Sequence, residues 1–189
     1  YFTGRLRRES QRLSALVRDI IELSRLQSAD VIARGTLVST DALVNEALDR
    51  NRLAAEAKSI VLQAQVHYSG ELYADPELLG TALHNLVENA VRYSPEKTRV
   101  DLLVEREGDT LNISVTDQGA GIPEEEQARI FERFYRVDAA RSRQTGGTGL
   151  GLSIVKHVMG QHGGQVSVQS VPGQGSTFTL SLPIADTAV

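Results

Sequence analysis

The sequence predicts an α+β fold, a single β-sheet with helices on one face, and three observations carry that prediction. Strand-like and helix-like segments follow one another without the strict βαβ repetition of a parallel sheet. Two pairs of strand-like segments are each joined by a tight turn, Gly108-Asp109 in one and Pro172-Gly173 in the other. Residues 76–92 place Leu79, Leu83, Leu86, Val87 and Ala90 at the spacing of a helix that buries one face.

Taken in order, residues 5–27 carry a heptad-like stripe: Leu6, Leu13 and Ile20 seven apart, with Leu16 and Leu23 offset by three and Val17 widening it. Arginines and Glu9 occupy its polar side. This helix is expected to belong to an intermolecular four-helix bundle, because little chain precedes it to supply an internal partner. Residues 31–35 read as a linker, and 36–189 as the second domain. A short strand is expected at 36–39, then a helix over 42–57 with Asp41 as its N-cap. Strands follow at 60–66 and 72–74. Asp75-Pro76 reads as an N-cap with proline in the first helical position, opening the helix 76–92. Strands at 98–106 and 110–116 form the first hairpin. A Gly-, Glu- and Arg-rich stretch covers 118–148, a helix 149–161, and a final hairpin uses 165–170 and 176–182.

Composition narrows the function. The 189 residues hold 41% hydrophobic side chains, enough for a core, and a net charge of −4, which argues against a nucleic-acid binder. Without cysteine there is no disulfide or thiolate metal site, which fits a reducing compartment. No apolar run is long enough to span a membrane. The chain opens within a helix and without Met, so it is expected to be a piece of a longer protein.

Four patches carry chemistry: HNLVENAVRYSP (84–95), DQGAGIP (117–123), FERFYR (131–136) and GGTGLGLSIVK (146–156). Asn85 and Asn89 lie four apart, on one helical face. Their amide oxygens are neutral, hard ligands suited to Mg²⁺, which keeps several waters and needs few protein groups. Asp117 ends a strand, and a buried carboxylate only accepts hydrogen bonds. It would select adenine, whose exocyclic amine donates, over guanine, which offers an acceptor there. Gly119 and Gly121 allow close backbone approach to a base. Between Arg129 and Arg143 stand five arginines against two acids, a basic stretch suited to phosphate. Arg141 and Arg143, nearest the glycines, are the candidates of choice, with Phe131, Phe134 and Tyr135 seating the loop on the core. Gly147, Thr148, Gly149, Leu150 and Gly151 open a helix whose N-terminus attracts anions. The glycine spacing and the preceding loop do not fit a dinucleotide fold, and no P-loop or HRD/DFG signature is present. His67, His84, His157 and His162 show no metal or acceptor pattern. His157 and His162 are expected at the end of the last helix, where a cation suits the dipole.

In this order the patches resemble the N, G1, F and G2 boxes of the catalytic domain of bacterial sensor histidine kinases, a fold shared more distantly with gyrase B, Hsp90 and MutL. GQGSTFTLSLP (173–183) is similar to that family's closing strand. The resemblance implies a two-layer α/β sandwich, a mixed sheet of about five strands with about three helices on one face. It implies that ATP and Mg²⁺ are bound. Asn89 would be the principal metal ligand, with Asn85 beside it. Arg92, Tyr93 and Ile122 would contact phosphate or base, and Thr177 would support the adenine pocket, through water. Asn85 stands where gyrase-like relatives have a water-activating Glu, which disfavours hydrolysis. Glu88 would help the acceptor histidine lose its proton. Residues 1–30 resemble the second helix of the family's dimerisation domain. The phosphoacceptor motif, a His followed by Glu and Thr/Ser-Pro, is absent, so the acceptor would lie on another helix. The implied partners are a second copy through the dimerisation helices and a response regulator, with membrane attachment only through other segments of a protein of the cytoplasmic membrane. Other readings are a serine kinase of the anti-sigma-factor type, which the helix 5–27 disfavours, an ATP-gated dimerisation module, and a non-catalytic regulatory domain.

Overall fold

The computed structural model describes residues 35–137 and 147–184, together with Val17 and Ile21. The expected bundle helix, apart from those two exposed helical residues, and the arginines Arg141 and Arg143 lie outside the described residues.

The chain begins with β1 (Thr36–Ser39) and α1 (Thr40–Ala57), followed by β2 (Val61–Val66) and β3 (Glu71–Ala74). The helix α2 (Pro76–Tyr93) leads into the hairpin β4 (Arg99–Glu107) and β5 (Thr110–Asp117). A short α3 (Glu124–Gln127) and a 3-10 turn (Arg129–Phe131) follow, then α4 (Gly151–Gln161) and the hairpin β6 (Gln165–Val171) and β7 (Gly175–Pro183). The main sheet has the order β2-β4-β5-β7-β6. Its β2–β4 pair is parallel and the other three pairs are antiparallel, so the sheet is mixed as expected. β1 and β3 form a separate antiparallel pair.

Alternation along the strands gives the sheet two different faces. Leu111, Ile113 and Val115 of β5 and Phe178, Leu180 and Leu182 of β7 are buried against the helices. Their neighbours in sequence pair across the open face, Ser114 with Thr179 at 2.9 Å and Thr116 with Thr177 at 3.0 Å. The central helix α2 buries Leu79, Leu83, Leu86, Val87, Ala90 and Val91, the stripe read from the sequence.

The cap of α2 is as expected: Asp75 Oδ1 accepts the Glu77 and Leu78 N–H groups at 3.0 and 3.1 Å, and Pro76 follows. That of α1 differs. The helix starts at Thr40, capped by Ser39 rather than Asp41, because the Thr40 hydroxyl and N–H are tied to residues 68–70. Asp41 falls in the first turn, where a carboxylate still complements the helix N-terminus. α4 starts at Gly151, later than expected, since Gly149 has φ +77° and cannot be its first residue. At its far end His162 is not a cation facing the dipole. Its Nδ1–H donates to the Val158 carbonyl at 2.8 Å, and Nε2 accepts the Asp75 N–H at 3.0 Å. A backbone N–H only donates, so the ring is neutral in this geometry. It ties the end of α4 to the start of α2.

Candidate functional site

Two amides, a buried carboxylate and a glycine-rich helix start converge on one cavity of about 1050 Å³, between α2, the turn after β5, the start of α4 and the start of β7. α2 supplies Asn85, Glu88, Asn89, Arg92 and Tyr93 to its wall. The glycines at the start of α4 stand against the amide pair: a Cβ at Gly151 would lie 3.4 Å from Asn85 Oδ1 and 3.9 Å from Asn89 Nδ2. Two asparagine amides beside a helix N-terminus fit a Mg²⁺ ion that is held mainly by phosphate and water. Among the described residues no group of three His, Asp or Glu side chains offers another metal site.

Asp117 lies at the other end, only 6% exposed. Burial raises its pKa above the ordinary 3.8, while N–H bonds from Gly119 and Ser176 pull it down. The Gly119 bond is 2.7 Å long. The turn that follows is locked from behind. Ile122 N–H donates to Ser170 Oγ at 2.8 Å, and Gln127 Nε2 donates to the Ile122 and Ser170 carbonyls at 3.0 and 2.9 Å. Gly121 has φ +68°, and a Cβ there would stand 2.0 Å from the Val171 carbonyl oxygen, so a side chain has neither the conformation nor the room.

Arg92 Nη2 is 2.6 Å from Glu88 Oε1, and Arg92 Nη1 would lie 3.1 Å from a Cβ at Gly147. The guanidinium thus links the carboxylate to the approach of the glycine loop. Thr148 Oγ1 accepts the Leu150 N–H at 3.2 Å, and the Phe134 N–H donates to the Gly149 carbonyl at 2.8 Å. Of the aromatic residues expected to seat the basic loop, Phe131 meets Phe178 edge to face at 6.4 Å and Tyr135 packs partly buried against the core. Phe134 instead is 59% exposed and contributes its backbone. Arg136 lines the cavity, and Arg129 stacks on Tyr135 at 4.2 Å.

Two of the expected site residues stand elsewhere. Leu150 is fully buried in the core rather than in the cavity wall. Thr177 points to the open face of the sheet and bonds Thr116, whereas its neighbours Ser176 and Phe178 line the cavity. Strand alternation requires this: Ser176 pairs with Asp117 and shares the face of Phe178 and Leu180, so Thr177 takes the other. The apolar even-numbered positions of β7 carried that signal in the sequence. Ser176, Phe178, Ile130, Arg50, Thr81 and His84 also line the cavity and were not among the expected site residues.

Comparison with known proteins points to one family. The family model for histidine kinase-, DNA gyrase B-, and HSP90-like ATPases matches residues 74–186, which include the α2, Asp117 and α4 parts of the cavity. The sensor-like histidine kinase SenX3 of Mycolicibacterium smegmatis is 46% identical over 182 residues, 96% of this chain and 47% of that protein. The chain thus spans about half the length of that relative. Full-length ShkA, solved in complex with AMPPNP, superposes with a TM-score of 0.81 at 30% identity, over 100% of this chain and 39% of the other. The mycobacterial sensor histidine kinase MprB gives a TM-score of 0.70 at 30% identity, over 79% of this chain and 97% of the other. With its mixed sheet, its helical layer and its four patches gathered around one cavity, the chain belongs to the family of histidine kinase-, DNA gyrase B-, and HSP90-like ATPases.

Proposed function

We propose that this chain is the ATP-binding catalytic part of a sensor histidine kinase, which transfers the γ-phosphoryl group of ATP to a histidine on a dimerisation helix. The convergence of Asn85, Asn89, Asp117 and the Gly147–Gly151 segment on one cavity carries the proposal. Asp117 would accept from the adenine amine, and Ile122 and Phe178 would flank the base. The N-terminus of α4 and Arg92 would hold the phosphates, with Arg141 and Arg143 of the basic loop closing over them. Asn89 and Asn85 would hold Mg²⁺, which neutralises charge on the phosphate oxygens when bound. Phosphoryl transfer asks little more of a protein than such positioning and charge neutralisation.

Asn85 favours a kinase over an ATP-gated hydrolase, since an amide is no general base for water. Glu88, which pairs with Arg92 at 2.6 Å, would assist proton loss from the incoming histidine. The phosphoryl group would then pass to an aspartate of a response regulator. The kinase would act as a homodimer through its dimerisation helices, on the cytoplasmic side of the membrane. No helix among the described residues is long and apolar enough to cross one, so attachment would use other segments.

Supplying a dimerisation helix in trans with γ-labelled ATP and Mg²⁺ tests the proposal. Label on that helix that is lost in acid and kept in alkali supports it. Acid-stable label would mean a hydroxyl acceptor and the serine-kinase alternative.

A further inference from the structure

One hydroxyl in the cavity wall has no partner. Ser94 lines the cavity and is 3% exposed, and its buried Oγ makes no hydrogen bond. Its backbone is held on both sides. The Ser94 N–H donates to the Ala90 carbonyl at 3.1 Å, and its carbonyl accepts from Lys58 Nζ at 3.0 Å. Other hydroxyls of the wall are engaged or stand elsewhere. Thr148 Oγ1 accepts the Leu150 N–H, and Ser176 Oγ shares a hydrogen with Ser170 Oγ at 2.9 Å. The Tyr93 hydroxyl stands by the glycine loop, 3.6 Å from a Cβ position at Gly147. An unbonded hydroxyl is unfavourable in a protein interior, so a ligand that supplies its partner gains affinity there.

Ser94 stands beside Asp117. The Cβ position of Gly119 lies 2.8 Å from Asp117 Oδ1 and 2.9 Å from the Tyr93 carbonyl oxygen. It is 3.3 Å from the Tyr93 carbonyl carbon, which is bonded to the Ser94 nitrogen. The edge of adenine presents two neighbouring groups, an exocyclic amine that donates and the ring nitrogen N1 that accepts. An ionised carboxylate serves only the amine, because it has no hydrogen to give. Two backbone donors of the adjoining turn are taken, the Gly119 N–H by Asp117 and the Ile122 N–H by Ser170 Oγ. A serine hydroxyl can donate, and rotation about its Cα–Cβ bond between staggered positions re-aims it.

We propose that the Ser94 hydroxyl turns into the cavity when nucleotide binds and donates a hydrogen bond to N1 of adenine, beside the amine held by Asp117. The proposal rests on the reading of Asp117 as the base-recognition group. Ser94 contributes affinity for the ring, and Asp117 makes the choice between adenine and guanine. A hydroxyl can also accept from the N1–H of guanine, so it does not discriminate by itself.

Calorimetric titration of the full chain with MgATP and with the Mg²⁺ complex of 1-deazaadenosine triphosphate, in which CH replaces N1, tests it. The analogue should bind the unsubstituted chain about fivefold more weakly than ATP. Ser94→Ala is expected to weaken ATP about fivefold and leave the analogue unchanged. Without nucleotide, Ser94→Ala should melt no lower than the unsubstituted chain, because the hydroxyl has no bond to lose. Equal weakening of both nucleotides, no weakening of either, or a lower melting temperature without nucleotide overturns the proposal. The triphosphate of purine riboside, which keeps N1 and lacks the amine, reports on Asp117 separately. It should bind the unsubstituted chain at least about tenfold more weakly than ATP, and Ser94→Ala should weaken it about fivefold more. If it binds as tightly as ATP, the reading of Asp117 fails, while the comparison of ATP with the 1-deaza analogue still decides on Ser94.

Discussion

Asp117 is a charge held in the cavity wall against its own desolvation. Burial raises its pKa above 3.8, so the folded protein binds a proton there more readily than the unfolded chain does. The stability linked to this group is therefore fully present below pH 3.8 and is lost as pH rises through the raised folded value. Asp117→Asn should remove that part of the pH dependence of unfolding, while weakening ATP at neutral pH by at least about tenfold. Because the base amine bonds the ionised form best, wild-type affinity for ATP should fall as pH drops through the same raised value. Pairing denaturation with titration across acid pH checks both. Asn89→Ala should cost at least about tenfold in Mg²⁺-dependent nucleotide affinity, ~1.4 kcal/mol, with little effect on folding. Undiminished binding in Mg²⁺, matching that in chelator, would remove the metal assignment. At this scale the sequence is legible in placement, since Asp117 and the asparagine pair line one cavity as expected. It misleads where a position is copied without its face, as with Thr177. The apolar positions Phe178, Leu180 and Leu182 already assign Ser176 to the buried side.

Helix α2 is the element on which the site is built, and both of its ends are fastened from outside. Asp75 caps the start and His162 holds the Asp75 N–H. At the other end Lys58 Nζ donates to the carbonyls of Val91, Arg92 and Ser94 at 2.9, 2.7 and 3.0 Å. Burial lowers the pKa of Lys58 from its ordinary 10.5; Glu96 opposes this and Arg92 adds to it. Lys58→Met keeps the aliphatic stem and removes all three bonds. It should lower stability by about 1–3 kcal/mol, measured by urea unfolding, because those carbonyls at the end of a helix lose their partner. An unchanged midpoint would show that water replaces the ammonium at no cost. The run of α2 and its Asp75-Pro76 start were plain from the sequence, since periodicity and capping are local. The Lys58 clamp was not, because it joins residues more than thirty positions apart. The start of α1 was misplaced by two residues for the same reason: the tie between Thr40 and Gly70 is tertiary.

Across the whole molecule, the sheet brings the end of β5 beside the start of β7, and α2 and α4 pack over it so that four patches distant in sequence enclose one cavity. Spacing alone could not show that enclosure. The order of the patches could, because it resembles a known family's, and the mixed sheet with its helical layer matches that expectation. The 3.0 Å contact of Asn51 Nδ2 with His84 Nδ1 had no sequence signal, since neither residue belongs to a periodic or motif position that names the other. The central claim is that this cavity receives MgATP with its base against Asp117. Competitive titration of the chain with MgATP and MgGTP tests it most directly. ATP should bind and GTP should bind at least about a hundredfold more weakly, because guanine sets an acceptor against the carboxylate. Equal affinity for the two nucleotides, in a chain that is folded, would contradict it.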